Sequence, residues 1–163
     1  MKAEYINPFL EATSTVVGSV CGTDVEFGNV YIRNSSYAAH NIIILIGMTG
    51  KVRGQAMLSM QGETAKAIAS HMMGGMPVEE MNDIAKSAIG ELGNMIMGNT
   101  CSTFYDKGIS VEITPPTILT GEKVQVSNRY KTLCIPVNLR QFGSIEIGIS
   151  AEEVQLVDNW CWG

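Results

Sequence analysis

The sequence predicts an α+β fold, an antiparallel-rich sheet covered by helices on one face, on three observations. Strand-like segments follow one another through glycine turns, few helical segments lie among them, and the order of elements in the first half recurs weakly in the second. "GKVRGQAMLSMQGETAKAIAS" and "GSIEIGISAEEVQLVDNW" each turn from strand into helix after a serine, which suggests pseudo-duplicated halves. The chain has 163 residues, 45% of them hydrophobic and 17% charged, enough for a single domain over residues 1–163 with a proper core.

Taken in order, "INPFLEATSTVVGSVCG" offers Asn7 as an N-cap and Pro8 at the first helical position, with Leu10, Ala12, Val16, Val17 and Val20 at mostly helical spacing and Gly22 as the stop. "VEFGNVYIRN" and "HNIIILIGMTG" read as strands. "KVRGQAMLSM" places Val52, Gly54, Ala56 and Leu58 on one side, and Gly50 suggests a hairpin between the last two. "GETAKAIASHMMGG" is a short helix closed by Gly74 and Gly75; Pro77, Glu79 and Glu80 then suit the first turn of a long helix. Beyond it, "VEIT", "EKVQVS", "YKTLCIPVNL" and "GSIEIGIS" read as strands, and a terminal helix is expected from about Glu152 to Trp160.

Composition narrows the function. The net charge is −5 and the lysines and arginines are scattered, which argues against nucleic acid. The longest apolar run, Ile42 to Ile46, is far short of the ~20 residues that cross a bilayer, so no membrane partner is expected and a cytoplasmic location is. Cys21, Cys101, Cys134 and Cys161 form no C-x-x-C pair, and neither His40 nor His71 stands at ligand spacing; no metal site is expected. Nor do the histidines suggest a Ser-His-Asp triad, and "HMMGGMP" lacks the Lys-Ser/Thr continuation of a phosphate-cradling loop.

The long helix carries the most information. Counting from Met81, Ile84, Ala85, Ala88, Ile89, Leu92, Met95 and Ile96 fall in one stripe that reads as core. Asp83, Ser87, Gly90, Glu91, Asn94 and Gly98 fall opposite, with Gly93 to the side. Each internal glycine costs roughly 1 kcal/mol of helix stability relative to alanine. Two explanations compete: close packing of another element of the same chain, or a shallow floor for a partner protein. A packed face would bury a carboxylate and an amide, for which the sequence offers no evident partners.

Ser87-x-x-x-Glu91-x-x-Asn94 on a long helix, followed by Pro115 and Pro116, resembles the signature of the CheC/CheX/FliY phosphatases. "YINPFLEAT" and "ELGNMIMGN" are similar to the CheX branch, although the proline spacing departs slightly from the family pattern. The resemblance implies a CheC-like fold and removal of phosphate from the aspartyl-phosphate of CheY or a related receiver domain. It gives Glu91 the role of docking on the receiver's active-site lysine and Asn94 that of orienting the attacking water, with Ser87 a further contributor. It implies no cofactor in this chain, Mg²⁺ in the receiver, and a homodimer.

An amide suits that role, because it can accept from and donate to a water without adding negative charge beside a phosphoryl group. Asn is short, so small neighbours at Gly90 and Gly98 would let receiver loops approach, while Gly93 serves packing. "EATSTVVGSVCG" in the first helix has Glu11 but Ser14 three residues later, so one site per chain is expected. The rivals are a non-catalytic receiver-binding module and a structural dimerisation module. The tryptophans of "VDNWCWG" suit either a core or a subunit surface.

Overall fold

The structure, a computed structural model, describes residues 2–34, 36–38, 41–122 and 124–155. Its elements are α1 (Ala3–Cys21), β1 (Val25–Phe27), β2 (Tyr31–Arg33), β3 (Ser36–Ala38), β4 (Ile42–Gly50), β5 (Val52–Met60), α2 (Gly62–Met72), α3 (Asp83–Asp106), β6 (Val111–Ile113), β7 (Thr117–Thr120), β8 (Gln125–Ser127), β9 (Thr132–Leu139) and β10 (Gly143–Glu153). Long apolar strands with a glycine or a short polar turn between them fold back as the hairpins β4–β5 and β9–β10, in registers such as Ile44↔Leu58 and Ile135↔Ile147. Gly50 turns the first and Gly143 opens the last strand, both at positive φ.

The main sheet has the order β1-β9-β10-β5-β4-β6, with β2 also on β9 and β7 also on β4. The halves are therefore duplicated in pairing as well as in order. β1 and β2 of the first half pair with β9 of the second; β6 and β7 of the second pair with β4 of the first. β3 pairs with β8, and β5 with β10 from Ile145↔Met60 to Glu153↔Val52. At this centre Gly54, at φ 150°, lies so close to the Ser150 carbonyl that no Cβ would fit.

Alternation sends Ile44, Ile46, Leu58, Ile135, Val137, Ile145 and Ile147 toward the helices, where they meet Phe9, Ile89, Leu92, Ile96 and Phe104 in one core. Phe9 and Phe104 pack edge to face at 5.8 Å, tying α1 to α3. The other face carries the small β3–β8 ribbon, where Val126 joins Ile43 and Met57.

Several boundaries differ from expectation. α1 begins at Ala3, so Pro8 lies inside it and Asn7 is not its cap. Burial of Tyr5 and Phe9 against Phe104 favours the earlier turn over the capping signal. α3 begins at Asp83, because Asn82 is the better cap: its side-chain oxygen accepts from the Ala85 N–H at 2.9 Å, and Pro77, Glu79 and Glu80 stay outside. "VEFGNVYIRN" is two strands, and β3 and β7 add two further strands that the sequence pattern does not signal. At Glu152 and Glu153 there is no helix; β10 continues through both, paired with Arg53 and Val52. The rest of the expected terminal helix, with both tryptophans and Cys161, lies outside the described residues, as does His40.

Candidate functional site

β4 and the segment after β6 position the site. The Thr114 N–H donates to the Gly47 carbonyl at 3.0 Å, and Thr114 Oγ1 accepts from the Gly47 N–H at 2.8 Å. Pro115 and Pro116 lack N–H groups and interrupt the ladder, letting the chain step along β4 before pairing resumes with Thr117 opposite Leu45 and Ile118 opposite Ile44. α3 lies across this region on two glycines. A Cβ at Gly93 would stand 2.8 Å from Ile44 Cγ2, so its absence sets the helix-to-sheet distance. A Cβ at Gly90 would stand 3.3 Å from Ile118 Cδ1 and 3.6 Å from Pro116 Cγ.

An open groove of about 440 Å³ results, with Gly90 in its floor, Pro116 and Ile118 along one wall, and Ser87, Glu91 and Asn94 along the other. Asp83 and Lys86 continue the helix side. Ser87 and Glu91 are exposed and Asn94 is half-buried. Among the described residues, no hydrogen bond or ion pair engages the Glu91 carboxylate, the Asn94 amide or the Ser87 hydroxyl. A carboxylate and a carboxamide one helical turn apart, both uncommitted, can receive a cation and a water respectively.

The three glycines divide between the two explanations. Gly93 packs internally, as expected; Gly90 is buried and makes room for this chain's own Pro116 and Ile118, though it also floors the groove; Gly98 has open space where a Cβ would be. The apolar stripe of α3 is rotated from its expected centre. Ala85, Ile89, Leu92 and Ile96 are buried as expected, but Ile84 is 65% exposed and Met95 38%, while Gly93, Met97, Thr100 and Phe104 complete the buried face. The glycine contacts draw that side of the helix onto β4 and β7, a pull that hydropathy alone does not register.

Thr13 and Thr100, both fully buried, each donate to the carbonyl four residues earlier, to Phe9 at 2.7 Å and to Ile96 at 2.8 Å. The register that superposes Thr13 on Thr100 also superposes Glu4 on Glu91 and Asn7 on Asn94. The sequence directs attention to Glu11 instead, because the Glu4 and Asn7 spacing becomes helical only once α1 extends back to Ala3.

Other candidates take structural places. His71 packs edge-on against Phe142 at 5.5 Å. Cys21 and Cys134 are buried, and burial, aided by Glu146, pushes the Cys134 thiol up to about 11. Among the described residues, no three His, Cys, Asp or Glu side chains gather closely enough to hold a metal ion. Nor is any helix among them long and apolar enough to cross a membrane.

A duplicated α+β scaffold with a helix face over a proline-walled groove defines the CheC-like fold, and comparison with solved structures agrees. CheX from Desulfovibrio desulfuricans superposes with a TM-score of 0.82 at 22% identity, over 91% of this chain and 99% of that one. A chain of the CheX–CheY–BeF3–Mg²⁺ complex from Borrelia burgdorferi does so with a TM-score of 0.76 at 29% identity, over 91% and 98%. The curated CheY-P phosphatase CheX of Thermotoga maritima is 29% identical over 152 residues, 93% of this chain and 98% of the relative. The family profile described as chemotaxis phosphatase CheX matches residues 42–138, and the chain belongs to that family.

Proposed function

We propose that this chain dephosphorylates the aspartyl-phosphate of a CheY-type receiver domain, with Glu91 docking the receiver and Asn94 orienting the hydrolytic water. The observation that carries the reading is the pair itself: an exposed Glu91 and a half-buried Asn94 on one groove, neither bonded within the described chain. Similarity to a CheY-P phosphatase of Thermotoga maritima and to a CheX found in complex with CheY supports the reaction and the partner class.

An acyl phosphate is already activated, and the receiver's own Mg²⁺ and lysine compensate charge on the phosphoryl oxygens. What remains is placement of a water in line with the leaving carboxylate oxygen. The Asn94 carbonyl accepts from that water and its NH₂ donates, holding it without competing as a base. Water attacks phosphorus, the P–O bond to the aspartate breaks, and inorganic phosphate and the free carboxylate result. Glu91, attracted to the receiver's lysine, fixes the register in which Asn94 enters.

Phosphate release from a phosphorylated CheY receiver with Mg²⁺ tests the proposal. Asn94→Ala is expected to lower kcat about a hundredfold with little change in KM, and Glu91→Ala to raise KM about tenfold. An Asn94→Ala variant as fast as wild type would exclude the mechanism. Receiver binding without accelerated release would make the chain a non-catalytic module, and no binding at all a structural one.

A further inference from the structure

On α3, Glu91 stands between two rows of side chains. Ser87, Asn94 and Gly98 lie on the groove side. On the other side are Ile84 two turns before Glu91, Ala88 one turn before, and Met95 one turn after. This second row is apolar and belongs by spacing to the core stripe, yet rotation of the helix leaves Ile84 65% exposed and Met95 38% exposed, with Ala88 half-buried. Isolated apolar side chains on a surface are ordinary. A row of them beside an uncommitted carboxylate is not, because solvating an isoleucine that far gives up stabilisation that a polar residue would not.

We infer that Ile84 and Met95 are specificity-determining residues for the receiver: they form the apolar half of the docking surface and contact an apolar patch beside the receiver's phosphorylation pocket. The inference rests on the proposed function, which places a receiver on Glu91, and adds what surrounds that ion pair. The row is continuous with Glu91 on one helix, so a protein seated on the carboxylate covers it. Excluding water from one side of Glu91 strengthens its attraction to a lysine, while the other side stays open to the groove and to the water that Asn94 holds. Charge thus provides register, and the apolar row provides residence and discrimination among receivers of equal charge.

Binding and turnover separate the two claims. Titration with a CheY receiver carrying BeF3 and Mg²⁺ reads docking without hydrolysis, and phosphate release from the phosphorylated receiver reads chemistry. Ile84→Ser and Met95→Ser are each expected to weaken docking about fivefold to tenfold and to raise KM in step, with kcat kept near wild type and the melting temperature lowered by no more than about 4 °C. Ile84→Leu is expected to restore binding. Unchanged affinity in both serine variants would overturn the inference, as would a loss of self-association in place of receiver affinity, which would assign the row to a second copy of this chain. Wild type that binds the receiver but fails to release phosphate would overturn the hydrolytic reading and leave this one standing; wild type that binds no receiver would overturn both.

Discussion

α1 and α3 occupy equivalent places in the two halves, present Glu-x-x-Asn in the same register, and differ in what stands next to it. α3 extends two turns ahead of Glu91, which supplies Ser87, whereas α1 begins at Ala3, immediately before Glu4. Pro116 and Ile118 close over Gly90 to make a groove, but the first-half counterpart of β7 is β2, where Ile32 is 64% exposed and Val30, just before it, 47%. The motif alone does not make the groove. What distinguishes the second half is a wall and a longer helix around the same two side chains.

The largest effect that could break this comparison is in hydrolysis. While Asn94→Ala is expected to cost about a hundredfold in turnover, Asn7→Ala in an otherwise intact chain should change it less than about twofold; a comparable loss at Asn7 would mean that α1 takes part without a groove. Stability is next, and here the glycines of α3 are contrasted with each other. Gly93→Ala gains about 1 kcal/mol of helix propensity but forces a methyl against Ile44, for a net loss of about 1–2 kcal/mol and a melting temperature lower by about 2–8 °C. Gly98→Ala meets nothing and should raise it by about 2–4 °C. Equal shifts of one sign in calorimetry would show that space around these positions is not what separates them.

The smallest effect concerns pH. Tyr5 in α1, held by the nearby Glu153 carboxylate and by burial, is pushed up to about 12, and Cys134 up to about 11. Both lie above their ordinary values, so the folded state holds protons that the unfolded chain releases first. Their contribution is fully present below about pH 9 and is lost as pH rises through about 11 and 12. Melting temperature measured across that range should fall. Cys134→Ala should weaken the earlier part of the fall and leave the part due to Tyr5.

Much of this was legible in the sequence. Apolar alternation and glycine turns locate both hairpins and the three helices of the described residues, and the register of Ser87, Glu91 and Asn94 follows from their spacing alone, because helical geometry is local. The groove was not legible. It depends on the step from β6 to β7 along β4, and "TPPTILT" carries no signal of which strand it will join. The exposure of Ile84 and Met95 was hidden for a related reason: hydropathy ranks glycine as neither core nor surface, whereas in α3 Gly90 and Gly93 decide which side is pulled inward. In α1 the same blindness took another form, since a capping signal at Asn7 masked a helix already under way.

The reciprocal pairing of β1 and β2 with β9, and of β6 and β7 with β4, says something about ancestry. A half-length chain with this wiring would hold short strands belonging to another molecule's hairpin and a long strand edge with nothing alongside, so it would have to associate with its twin. In such a pair every substitution appears twice. Joined end to end, the copies are released from that symmetry, and one helix can keep a walled groove while its counterpart carries the same letters on open ground.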